Sequence, residues 1–225
     1  MLKHRSDATE WMDEAAAGEP EFAAALRDLA RISRMTMAHR PVLRFLDRLV
    51  AETGASSLSV LDVGCGGGDL LAEIDRWAAR RGIAVALTGL DRSRWAARYA
   101  TAAGVPARFI TADLFELDPA ERFDVVVCSL FTHHLRDPEL VRFLRWIEDR
   151  AIRGWLISDL HRHWLPWVTV WLGFRLLRFA PMVIHDSTIS FARAFTHADW
   201  QRLLAEAGVT ARIRREFPFR WIVWR

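Results

Sequence analysis

Leu61-Asp-Val-Gly-Cys-Gly-Gly-Gly-Asp-Leu70 is the stretch that most narrows what this chain can become. The apolar run from Leu58 to Val63 reads as a strand, and Leu70 to Arg81 reads as a helix. The glycines therefore stand at a strand-to-helix turn, where Gly64, Gly66 and Gly68 let the backbone bend sharply and approach a ligand with no Cβ between. A strand, a glycine turn and a return helix build a parallel sheet, because the helix must carry the chain back across it. Dinucleotide-binding loops carry similar glycine punctuation, so the glycines alone leave the cofactor open.

The rest of the chain keeps this rhythm. Further strands are predicted at 84–90, 107–111, 123–129 and 155–159, with helices near 94–103 and 138–151 between them. The unbroken Val125-Val-Val127 suits a strand buried on both faces. Thr196 can cap a helix that runs to Ala207 and stops at Gly208, and residues 211–217 and 221–224 form a hairpin around Pro218. Ahead of the sheet, residues 1–50 read as a helical, alanine-rich cap, broken at Gly18-Glu-Pro20. The expected architecture is α/β: a Rossmann-like, seven-stranded, mostly parallel sheet with helices on both faces and an antiparallel C-terminal hairpin. Residues 1–50 would be the cap and 51–225 the binding domain, a length that suits one domain.

Composition closes off other classes. The net charge is +3 and the arginines interleave with Asp and Glu; no basic run with interleaved aromatics marks a nucleic-acid partner. Cys65 and Cys128 are the only cysteines, which speaks for reduced thiols and a cytoplasmic protein. The first residues lack the apolar core of a signal peptide. Trp164 to Ile184 is apolar, but Arg175 and Arg178 interrupt it, so no transmembrane helix is expected.

Three carboxylates narrow the ligand. Asp62 lies in the strand just before the glycines, where an ammonium would find a partner and a pyrophosphate would be repelled. Asp91 ends the second strand, placed for two ribose hydroxyls. Asp113 ends the third, where it could receive an adenine amino group with Leu114 beside the ring. The implied ligand has an ammonium, a ribose and an adenine, and no phosphate.

Asp62-Val-Gly-Cys-Gly-Gly-Gly68, Asp91, Ala112-Asp113 and Phe123-Asp-Val-Val-Val-Cys-Ser129 together resemble the successive motifs of class I S-adenosylmethionine-dependent methyltransferases, most closely the bacterial quinone-biosynthesis and small-molecule branch. The resemblance implies that Gly64, Cys65, Gly66 and Gly68 wrap the methionine part, with Ser129 near it. It gives the ribose to Asp91 with Arg92 nearby, and the adenine to Asp113 and Leu114. Arg44, 20 residues before Gly64, would meet the methionine carboxylate, with Arg40 as the second choice.

Methyl transfer needs a positioned nucleophile and, for a hydroxyl, a base. His133 and His134 follow the fourth strand, and His161 and His163 the fifth. His134 is the first candidate for the base, then His133 and His161; His163, Trp167 and Trp171 are candidates for acceptor contact. The four histidines with Asp159 and Asp186 invite a metal reading. The metal-dependent branch carries an Asp after strand four where this chain has Cys128-Ser129, so no metal is expected. Residues 164–184, within an insertion spanning 163–190, are apolar on nearly every side of a helix and would be buried or lie over something apolar. By the resemblance, they and the N-terminal helices roof the acceptor pocket.

The expected activity is O-methylation of a small aromatic, polyketide-like or quinone-like molecule by a monomer or homodimer. The alternatives are C-methylation of a lipid-tailed quinone precursor at a membrane surface, an RNA or protein methyltransferase, and a non-catalytic binding protein.

Overall fold

Valines with no polar neighbour to turn toward water need helices on both sides of their strand, and that is where they lie. In the computed structural model, which describes residues 4–13 and 18–225, β4 (Phe123–Ser129) sits mid-sheet with Val125, Val126 and Val127 fully buried. It pairs in parallel with β1 (Ser57–Val63) on one side and β5 (Ala151–Leu160) on the other. Beyond β1 come β2 (Ala84–Asp91) and β3 (Arg108–Thr111), both parallel. Beyond β5 come β7 (Arg220–Trp224), antiparallel, and β6 (Arg212–Glu216) at the edge. The order β3-β2-β1-β4-β5-β7-β6 gives the expected seven strands, with one antiparallel to its neighbours. The order reverses between β1 and β4, where ligands bind in open α/β sheets.

Each sheet face carries its own core. Under α2 (Arg40–Thr53) and α3 (Asp69–Arg81) lie Leu46, Trp77, Val60, Val127 and Leu156. On the other face α5 (Asp137–Arg150) and α8 (His197–Ala207) cover Phe143, Trp155, Trp200 and Trp221. The predicted limits of α8 hold: Thr196 accepts from the Asp199 N–H, and Gly208 closes the helix at φ 70°. α4 (Arg94–Ala102) joins β2 to β3.

Three segments depart from expectation. The N-terminal cap is helical only from α1 (Glu19–Met35) onward; of residues 5–13, only Trp11–Asp13 form a single 3-10 turn. Strand β5 starts at Ala151, four residues before the predicted start at Trp155, with no loop after α5. The aromatic segment is two helices, α6 (Trp164–Leu176) and α7 (Pro181–Arg193), because Pro181 begins a new helix. α7 takes the inner place: Met182 and Val183 pack with Ala25 and Phe179. α6 is thereby left outside, so of the two expectations, burial or lying over something apolar, burial does not hold for it. Pro166 is its one buried residue, and Trp164, Leu172 and Leu176 are 62%, 61% and 81% exposed.

Candidate functional site

The C-terminal ends of β1, β2, β4 and β5 bring the predicted residues to one rim. Gly64 has φ 71°, and a Cβ there would stand 2.5 Å from the Phe131 ring, so no other residue fits between the loops after β1 and β4. The Gly64 and Cys65 N–H groups donate to Leu90 O, which ties the glycine loop to the end of β2. Asp91 Oδ2 accepts from Gly66 N at 2.9 Å and Oδ1 from Ser93 N at 2.8 Å. Burial pushes the Asp91 carboxyl up, against the pull of those two N–H groups.

Asp62 is 2% exposed, and no group among the described residues hydrogen-bonds its carboxylate. Burial, then the charges of Asp69 and Asp91, push its carboxyl well above the usual range. A cation placed beside it would offset that burial and favour the ionised carboxylate. Asp113 is exposed and accepts from Phe115 N, while Leu114 beside it is buried. Cys65 is buried, and burial raises its thiol pKa far above the ordinary value, so it packs rather than reacts.

Arg44 and Arg92 are engaged elsewhere. Arg44 pairs with Glu216 on the edge strand β6; it is His39, from the turn before α2, that reaches the glycine-loop helix, with Nε2 2.8 Å from Asp69 Oδ2. Arg92 lies 3.6 Å from Asp13.

The histidines separate into two groups. Thr132–His134 form a 3-10 turn after β4, entered through Leu130 at φ 56°, a strained value for a leucine. His133 Nδ1 donates to Asp159 Oδ1 and His134 Nδ1 donates to Asp13 Oδ2, both at 2.7 Å. A carboxylate can only accept, so each bond puts the ring proton on Nδ1 and leaves Nε2 free. Glu10 faces both: Oε1 is 3.6 Å from His133 Nε2 and Oε2 3.7 Å from His134 Nε2, too long for hydrogen bonds. Burial alone would lower the His134 pKa. The Glu10 charge and the Asp13 hydrogen bond outweigh it, and the net shift is upward. His161 and His163 stand apart beyond β5, with His161 edge-on to Trp221 at 5.2 Å. Burial, then His163, Arg215 and Arg162, lower His161.

Glu10 and Asp13 were absent from the sequence reading, and nothing local marks them. They arrive on residues 5–13, which cross the histidine turn as a strap. Asp186 accepts from Trp11 N and Met12 N, and Arg193 donates to His133 O at 2.8 Å and Ala8 O at 2.9 Å. Among the described residues, Glu10, His133 and His134 also form a group whose donor atoms lie within 4.8 Å of one another, a set able to hold a divalent ion. His161, His163 and Asp186 are not part of it.

Of the acceptor candidates, Trp171 lines a groove of about 380 Å³ with Trp11, Arg175, Ile184 and His185. Trp11 stacks on His185 at 3.8 Å. His163 caps α6 by accepting from Leu165 N, and Trp167 is half-buried. A larger groove of about 670 Å³ between α1 and α4 contains none of the site residues. Among the described residues, no helix is long and apolar enough to cross a membrane.

A family model described as "Methyltransferase domain" matches residues 34–211. A ubiquinone biosynthesis O-methyltransferase of Thiobacillus denitrificans is 29% identical over 177 residues, covering 74% of this chain and 69% of that protein. Its counterpart in Salmonella arizonae is 31% identical over 140 residues, 59% of this chain and 55% of that one. Among solved structures, the plantazolicin methyltransferase BpumL in complex with SAH superposes with a TM-score of 0.66 at 16% identity, covering 92% of this chain and 94% of that one. The magnesium protoporphyrin IX methyltransferase of Synechocystis, with bound SAH, does so at 0.54 and 21% identity, covering 84% and 82%. At these identities the two structures speak for the fold.

Proposed function

The chain belongs to the methyltransferase-domain family, as a class I S-adenosylmethionine-dependent enzyme acting on small molecules, and from that premise we propose that it methylates an oxygen of an aromatic, polyketide-like or quinone-like acceptor. The observation that carries this reading is His134: a ring with its proton held on Nδ1 by Asp13 and a free Nε2 facing Glu10. The ubiquinone-pathway relatives, named as O-methyltransferases, support the choice of oxygen.

The cofactor residues fit the group. The unpartnered, buried Asp62 suits an ammonium, Asp91 retains lone pairs for ribose hydroxyls, and Gly64, Cys65, Gly66, Gly68 and Ser129 line the path of the methionine part. Asp113 and Leu114 would receive the adenine; Arg92 lies near the ribose end. When bound, S-adenosylmethionine supplies an electrophilic methyl group on a sulfonium. His134 Nε2 takes the proton of the acceptor hydroxyl, and Asp13 and Glu10 stabilise the imidazolium that results. His133, locked to Asp159, positions the turn; the strap and α7 roof the site and exclude water.

Asp91→Ala should weaken binding of S-adenosylhomocysteine about tenfold or more by calorimetry. A charge-assisted hydrogen bond is worth roughly 1.5–3 kcal/mol, and the Gly66 N–H also loses its acceptor. Unchanged affinity would remove Asp91 from the ribose.

Catechols and hydroxyquinones offered with ¹³C-methyl-labelled cofactor should give methoxy and not ring-methyl signals by NMR, undiminished by prolonged chelation. Loss on chelation with recovery on adding a divalent metal would make Glu10, His133 and His134 ligands. Ring methylation would favour the second reading, a carbon acceptor with a lipid tail. Exposed Trp164, Leu172 and Leu176 beside Arg175 and Arg178 on and after α6 support lipid-surface contact for that reading, and added anionic vesicles would then raise the rate.

A further inference from the structure

Arg220 begins β7 with its guanidinium inside the protein. The residue is 4% exposed, its Nη1 is buried without a hydrogen-bond partner, and no ion pair reaches it among the described residues. A cation is costly to bury unpaired. Burial draws its pKa down to about 10, although Asp159 and Glu216 act in the other direction.

Neither of those carboxylates is free to neutralise it. Glu216, the cross-strand neighbour of Arg220, is already paired with both Arg44 and Arg214. Asp159 is held by Thr132 and His133.

A second orphan donor lies alongside. Side chains alternate between sheet faces, so Arg220 shares the face of Ile222, which packs beneath α2. Ser158 pairs directly with Ile222 and is therefore on that face too; it is fully buried, and its Oγ has no partner. Ser158 in turn pairs with Ser129, where β4 passes into the loop that carries His134. A guanidinium and a hydroxyl, both unsatisfied, thus stand diagonally on neighbouring strands, the hydroxyl one strand from the end of β4 that leads to His134. A planar carboxylate matches that donor pair.

We propose that Arg220 and Ser158 form a subsite for a carboxylate of the methyl acceptor, so that the acceptor class is a hydroxylated aromatic acid. The proposal rests on the methyltransferase reading and adds the charge of the acceptor to it. The cofactor also carries a carboxylate, at its methionine end. Ser158 neighbours Ser129, on the path of the methionine part, but Arg220 on β7 stands three strands from the glycine loop on β1, roughly 14 Å at the usual strand spacing.

The test is calorimetry on enzyme saturated with S-adenosylhomocysteine, with 3,4-dihydroxybenzoate and catechol as probes. The wild type should bind the acid at least about tenfold more tightly than catechol, the scale of a charge-assisted hydrogen bond. Arg220→Met should abolish that preference, leave S-adenosylhomocysteine affinity unchanged and not lower the melting temperature, since it removes an unpaired buried charge. Arg220→Lys should keep part of the preference, and Ser158→Ala should reduce it, which reports on the subsite even if the Met variant folds poorly. Equal binding of the two probes by the wild type overturns the proposal, as does a preference that survives in all three variants. A fall in S-adenosylhomocysteine affinity matching the fall for the acid assigns Arg220 to the cofactor and overturns it as well. If the wild type binds no S-adenosylhomocysteine at all, it is the underlying methyltransferase reading that fails.

Discussion

His134→Ala should turn over its acceptor at least about a hundredfold more slowly while binding S-adenosylhomocysteine nearly as well as the wild type. The ring is placed for proton transfer: Nδ1 is fixed by Asp13 at 2.7 Å, and Nε2 faces Glu10 across 3.7 Å. The wild-type rate should rise with pH through an apparent pKa above the ordinary histidine value of about 6.5, because Glu10 and Asp13 favour the imidazolium. Glu10→Gln removes one of those negative charges. It should move the rise to lower pH, a displacement that loss of packing alone would not produce. Rate measurements across pH on one acceptor decide the matter. Turnover and a profile unchanged in His134→Ala would sink the base assignment and leave His133, or positioning alone.

The parts of this site that sequence could show are those encoded within a few residues. The glycine turn, the acids at the ends of β1 and β2, and the Thr196 and Gly208 helix limits each depend on local backbone geometry, and each stands where periodicity put it. What the sequence could not show depends on distant chain. Asp13 and His134 are 121 positions apart and meet because Asp186 and Arg193 on α7, with Arg5 on the strap itself, hold the strap down. Arg44 has the spacing of a cofactor arginine, yet Glu216 is 172 positions away in sequence and next to it in space. The aromatic segment misled for a related reason. Its composition is that of a buried helix, but only one of two consecutive helices can occupy the inner layer, and α7 has it.

Asp159→Ala should lower the stability to unfolding by about 3–5 kcal/mol, the usual consequence of breaking a buried charged pair from one side. Asp159 is fully buried, and its two oxygens take every donor around them. Oδ1 accepts from His133 Nδ1 and Leu160 N, each at 2.7 Å, and Oδ2 from His133 N at 3.0 Å and from the Thr132 hydroxyl. Alanine strands all four donors, two of them backbone N–H groups with no water to replace the lost acceptor. Asn keeps a carbonyl oxygen and should cost less than Ala, the difference reporting the charge. The pH dependence carries a second signature. Burial raises the Asp159 carboxyl, but the His133 charge and the bonds from His133, Thr132 and Leu160 outweigh it and hold the group far below the usual carboxylate range. A folded-state pKa depressed in this way gives stability that is present above the unfolded value of about 3.9 and lost as pH falls from there toward the folded value. Wild type and variant should therefore differ most above pH about 4 and converge in stronger acid. Urea denaturation at neutral and acid pH measures both effects. A loss under about 1 kcal/mol, typical of an exposed pair, with no convergence at low pH, would mean that Asp159 does not anchor the histidine turn and that His134 is held in place by the strap alone.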